Sequence, residues 1–134
     1  MRVIKVLVAL LATVTFFVLL AQTDADYMGW MKAAVASKGK VAKGIAAKDK
    51  GVATDAKVME DSFKSIEDYW TKKGAADASG FAKTARTASA DVGKAAKAGD
   101  FDAANAALTV VGGTCQGCHM AHRAKGADGA FQIK

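Results

Sequence analysis

The chain has 134 residues, room for one domain, with no proline, 51% hydrophobic residues and only 7% aromatics. Alanine and lysine are abundant and both are strong helix formers, so the composition favours an all-helical fold and leaves 13 glycines as the main breakers. The formal charge of +6 comes from lysines interleaved with acids and alanines, without basic clusters or stacking aromatics; this argues against nucleic acid and suits an acidic protein partner or a membrane surface.

Met1-Arg2-Val3-Ile4-Lys5 opens the chain and residues 6–21 follow without a charge, the layout of a secretory signal. Cleavage after Ala21 or Ala25 is expected. Sixteen apolar residues exceed a usual signal core yet fall short of the roughly 20 that span a bilayer comfortably, so an uncleaved N-terminal membrane anchor is the alternative. Loss of residues 1–21 removes Arg2 and Lys5 and takes the charge from +6 to +4. The domain proper is residues 22–134.

From Asp26 to about Ala46, Met28, Met31, Val35, Val41 or Ala42, and Ile45 recur at three and four residues with lysines between them, which predicts an amphipathic helix capped by Asp24 or Asp26. Lys48-Asp49-Lys50-Gly51 breaks it. A second helix starts at Thr54 or Asp55, carries Met59, Phe63, Ile66 and Trp70, and ends at Gly74. A third begins near Asp77 and buries Phe81, Ala85, Ala88, Val92 and Ala96 before Gly99 closes it. Its small inner residues allow close helix packing and leave room for something large elsewhere.

Asp100 caps the fourth helix, whose apolar stripe is Phe101, Ala104, Leu108, Val111, Cys115 and Cys118. Gly112 and Gly113 cost roughly 1 kcal/mol each against alanine in a helix interior; a flat ring pressed on the backbone and a simple weak point in the helix are both open. Beyond Lys125, residues 126–130 read as a turn, after which Phe131 and Ile133 are expected to lie back on the bundle. No stretch alternates like a strand.

The chemistry sits in Cys115-Gln116-Gly117-Cys118-His119. C-x-x-C-H is a covalent haem attachment run, in which two thiols anchor the porphyrin and the histidine ligates the iron. On a helix this spacing puts all three groups on one side of a flat macrocycle. A disulfide, a thioredoxin-like pair and a structural zinc site fit less well: the redox pair expects a βαβ setting, and two cysteines with His119 and His122 only three residues apart make a poor zinc cage. The expected architecture is an antiparallel up-and-down four-helix bundle with one covalent haem c that supplies core volume, so that the chain without haem is loose.

A single C-x-x-C-H near the C-terminus of a four-helix chain, with Arg123 four residues after His119, resembles the cytochrome c′ family and its low-spin relatives. The resemblance covers essentially residues 22–134. It implies Cys115 and Cys118 as thioether anchors, His119 as proximal ligand and Arg123 beside it; an aromatic residue usual before that arginine is replaced by His122, expected as a solvent-facing packing residue. In that family the first helix approaches the opposite axial position, and Met31 resembles the ligating methionine of six-coordinate members, with Met28 in reserve.

The resemblance thus implies an exported, non-enzymatic electron carrier with His119 and Met31 on iron, serving a redox partner with an acidic surface. The alternative is a five-coordinate protein that binds gases such as NO or CO. Haem is attached to such thiols on the outer face of the bacterial inner membrane, so leader and motif together point to the periplasm, or to its membrane face if the leader is kept. Family members often pair through their first two helices, and no feature of this sequence singles out such a face.

Overall fold

The computed structural model describes residues 22–134; the expected leader at residues 1–21 lies outside the described residues. Four helices follow one another, α1 (Asp24–Ala46), α2 (Val52–Lys72), α3 (Ala76–Ala98) and α4 (Phe101–His122), and a small antiparallel hairpin, β1 (Arg123–Lys125) with β2 (Phe131–Ile133), ends the chain. Among the described residues no helix is long and apolar enough to cross a membrane. The connections at 47–51, 73–75 and 99–100 are too short to cross the bundle, so successive helices run antiparallel and each packs on the next.

Local chemistry sets the helix ends. Thr23, and not Asp24 or Asp26, caps α1: its hydroxyl accepts from the Asp26 amide at 3.1 Å, while the Asp26 carboxylate accepts from the Thr23 amide at 2.9 Å. Asp24 is thereby free to tie α1 to α2, accepting a hydrogen bond from the Tyr69 hydroxyl and lying 3.3 Å from Lys73 Nζ. The second helix starts at Val52, earlier than the expected Thr54 or Asp55, because Asp49 Oδ1 takes the Gly51 amide at 2.8 Å and buried Val52 anchors the first turn against α1. Gly99, at φ 77°, closes α3, and Asp100 caps α4 by accepting from the Ala103 amide at 2.9 Å, as the sequence indicates.

The expected stripes of α2, α3 and α4 largely form the core: Met59, Phe63, Ile66 and Trp70, then Ala85, Ala88, Val92 and Ala96, then Ala104, Leu108, Val111 and Cys118 are buried. Arg86 Nε meets Glu67 Oε2 at 2.7 Å and pins α3 to α2. Alanines on α3 let its neighbours approach closely.

Helix α1 departs from expectation. Its buried face is Tyr27, Ala34, Ser37, Val41 and Ile45, whereas Met28 is 39% and Val35 65% exposed, and Met31 is half-buried. Val41 and Ile45 are buried as the periodicity indicates, but nearer the start of the helix the buried line runs through Tyr27 and Ala34 and not through Met28 and Val35. The Tyr27–Ile45 face lies on α2, and the Met28, Met31 and Val35 face turns toward α4, with which α1 makes little contact. The fourth side of the bundle is therefore a gap.

The carboxyl end differs too. The turn at 126–130 forms, but Arg123 and Phe131 begin short paired strands, each only three residues long and so without a readable alternation. Ile133 packs on the core, while Phe131 stays 46% exposed under the Arg123 guanidinium.

A Cβ at Gly44 would fall well inside van der Waals contact of Val52 Cγ2. Alanine gains about 1 kcal/mol of helix propensity there, but overpacking costs about 1–3 kcal/mol, and Val52, 2% exposed, has nowhere to turn. Gly44→Ala should lower stability in a urea titration, and Val52→Ala in the same chain should recover part of the loss. A stabilised Gly44→Ala protein would contradict this close approach.

The Tyr69 hydrogen bond and then Lys73 hold the Asp24 carboxyl below its ordinary 3.8. A depressed folded-state value adds stability that is complete above the unfolded value and disappears as pH falls through the folded one. Thermal melts in acid should therefore show a shallower loss below about pH 4 for Asp24→Asn than for the parent chain. Parallel acid limbs would count against the tie.

Candidate functional site

The last turns of α4 carry Cys115, Cys118 and His119, and the three- and four-residue spacing sets them on one side of that helix. All three line a cavity of about 290 Å³ that also meets Met31, Ala34 and Lys38 of α1, Phe63 and Ile66 of α2, and Phe81, Ala82 and Ala85 of α3. Every helix contributes a wall, and the walls are mostly apolar. Beside it lies a second cavity of about 350 Å³ under the hairpin, bordered by Tyr27, Met28, Lys32, His122, Arg123 and Phe131. Met31, Val35, Cys118 and His119 border both. The two spaces are halves of one trough between α1 and α4, divided at Met31 and His119, and each falls near the low end of the roughly 300–1,000 Å³ usual for cofactor sites.

Gly117 makes one wall possible. A Cβ on it would stand 2.8 Å from Phe81 Cε1, so glycine inside the motif lets the Phe81 ring lie against α4 and floor the first cavity. Gly112 and Gly113 play no such part: a Cβ at Gly112 would meet only Lys38 Cε at 3.9 Å, one at Gly113 nothing within 4 Å, and neither glycine borders a cavity. The helix runs through both unbroken.

Burial governs the ionisation of the motif. Desolvation pushes both thiols above their ordinary 9.0; a nearby Lys38 charge partly offsets this for Cys115, and the Asp77 and Cys115 charges add to it for Cys118. The two are not joined as a disulfide, and as thiols both are protonated near neutral pH. Burial, and then the positive charge of Arg123, hold His119 below its ordinary 6.5. Its imidazole is therefore mainly neutral at pH 7, with a lone pair available to a metal.

Around this lies an aromatic cluster. Tyr27 stacks on Tyr69 at 4.7 Å, and Trp70 meets both edge-on at 5.6 and 5.3 Å. His122, expected to face solvent, is instead 17% exposed: its ring lies 4.9 Å from that of Trp70 and its Nε2 is 2.7 Å from Asp77 Oδ2. Position 122 thus does pack like an aromatic residue, and the imidazole adds a polar bond to α3. Burial raises the Tyr27 hydroxyl to about 12, so it stays protonated at the edge of the second cavity.

Each site residue expected from the sequence therefore borders the trough: Cys115 the first cavity, Cys118, His119 and Met31 both, and Met28 the second only. Sequence reasoning placed Arg123 beside His119, where its charge acts, but missed Phe81, Lys38 and the part that Phe131, Gln132 and Ile133 play in the second cavity. Phe81 had been assigned to the core by its place in the α3 stripe, and it ends half-buried. Among the described residues no three His, Cys, Asp or Glu side chains gather as a metal cluster. Comparison with protein-family models, with curated proteins and with solved structures gives no match.

Leucine at Ala82 would place about three extra carbons in the first cavity. Burial of each in open space is worth about 0.8 kcal/mol, whereas the same change in a filled core would lose about 1–3 kcal/mol. Ala82→Leu should raise the urea midpoint of chain produced without an attached group. A lowered midpoint would show that the cavity is already filled.

Proposed function

We propose that this chain is a mono-haem c-type cytochrome of the cytochrome c′ type that carries single electrons, with Cys115 and Cys118 as thioether anchors and His119 and Met31 as axial ligands. What carries the reading is the C-x-x-C-H run opening into an apolar trough whose opposite wall presents Met31. The residues fit the group: two thiols and a neutral imidazole on one helix, an apolar space with walls from four helices, and a thioether on α1 at the same space. Met31 is favoured over Met28 because it borders both halves of the trough, as a ligand near the centre of a ring must, whereas Met28 borders one half and is exposed.

A bound haem would supply a one-electron couple. The chain's part is to set its potential and its access. The Met31 thioether favours ferrous iron, and the apolar wall of Ala34, Ile66, Phe81 and Ala85 disfavours the extra charge of ferric iron, so both raise the potential. Lys32 and Lys38 stand at the trough and would steer brief encounters with an acidic redox partner. No catalytic step is required. The leader, read as a signal or an anchor, assigns the protein to the periplasm or to the periplasmic face of the inner membrane.

Mass spectrometry of protein from a host that attaches haem should show one haem per chain, and absorbance should report low-spin iron. Met31→Ala should turn it high-spin and open it to carbon monoxide, while Met28→Ala should change neither property. A high-spin parent protein that binds carbon monoxide would move the assignment to the gas-binding reading, and a colourless one with both thiols alkylatable would end the haem reading.

A further inference from the structure

The C-terminal hairpin builds one end of the trough. Arg123, Phe131, Gln132 and Ile133 all border the second cavity. The Arg123 guanidinium carbon lies 3.2 Å from the centre of the Phe131 ring, and the strand register sets Arg123 opposite Ile133, which is packed on the core. A cation is thus fixed on an aromatic platform facing a cavity, and a stacked guanidinium keeps its hydrogen-bonding edges free.

The two halves of the trough differ in charge. The first holds both cysteines and a single lysine, Lys38. The second lacks Cys115 and is faced by Lys32 from α1, by Arg123 from the hairpin, by His119 and His122 from α4, and by the Tyr27 hydroxyl; the Asp77 carboxylate of α3 is engaged by His122. Among the described residues no carboxylate borders the second cavity.

Protoporphyrin is equally lopsided. Its two vinyl groups, which thiols alkylate, lie on one edge, and its two propionate carboxylates lie on the other. With the sulfur-linked edge reaching from Cys115 in the first half to Cys118 at the divide, the anionic edge on the far side of the ring falls in the half that contains Arg123 and Lys32. We propose that the C-terminal hairpin is the carboxylate-binding end of the site, with the Arg123 guanidinium, backed by Phe131, and the Lys32 ammonium as partners for the two propionates. This rests on the haem reading above and adds a direction to it.

The test uses the full, haem-loaded protein, with mass spectrometry confirming one haem in each variant. Removing a cation beside the haem leaves a carboxylate uncompensated and stabilises the ferric state. Spectroelectrochemical titration at pH 7 should therefore give a lower reduction potential for Arg123→Gln and for Lys32→Gln. Arg123→Lys should return the potential toward the parent value, and Lys38→Gln, which removes a cation from the other end, should lower it less than either Arg123→Gln or Lys32→Gln. The redox-difference infrared bands of the haem carboxylates should shift in Arg123→Gln and not in Lys38→Gln. A potential lowered by Lys38→Gln and untouched by Arg123→Gln and Lys32→Gln would overturn the inference while keeping the haem. So would a failure of Arg123→Lys to restore it, since Arg123 would then act only through its stacking on Phe131. A parent protein without haem overturns the functional reading and this inference with it.

Discussion

An unfilled side governs this molecule. Three interfaces, α1 on α2, α2 on α3 and α3 on α4, are closed by side chains, but α1 and α4 stand apart and leave Met28, Met31 and Val35 facing a trough. Large apolar side chains beside empty space forfeit both dispersion contacts and shielding from water. Chains are expected to collapse such a space unless something else occupies it. The rest of the design follows: small residues on α3, a glycine inside the motif for the Phe81 ring, and an aromatic cluster that props one end.

That cluster also explains how the trough keeps its shape. Tyr27, Tyr69, Trp70 and His122 join α1, α2 and α4 at one end of the bundle, and Asp77 adds α3 through His122. Asp24 bonds to Tyr69 at the same end. With α1 fixed there and again at Gly44 and Val52 near its far end, its middle, where Met31 and Lys38 sit, can stand off α4 without the helix drifting. Side chains of one helix thus hold a position against those of another through contacts made elsewhere.

Much of this was legible in the sequence. Helices two to four follow from their periodicity, and the Gly99-Asp100 joint from glycine's tolerance of positive φ together with aspartate's capping chemistry. Cys115, Cys118 and His119 were readable because the motif fixes their spacing on any helix. The first half of the α1 face was not readable, since periodicity finds apolar residues without saying what will cover them: Tyr27 and Ala34 lie one step round from Met28 and Val35, whereas Val41 and Ile45 were read as they are buried. The cap at Thr23 was overlooked because two acids crowd the same turn, and the acid at the third position completes the box instead of capping. Strands of three residues carry no usable period, and His122 could be placed only once Trp70 and Asp77 were known to flank it.

The order of packing along the chain also bears on assembly. Each extensive interface joins elements adjacent in the polypeptide, so contacts close over short loops and the entropy of closure stays small; such low-contact-order bundles fold on microsecond to millisecond timescales. The one pairing that would demand the longest loop, first helix to last, is the one the protein barely makes. It behaves as a folded screen whose two outer leaves need not meet, and a bulky guest can enter along that open edge while the three panel joints stay shut.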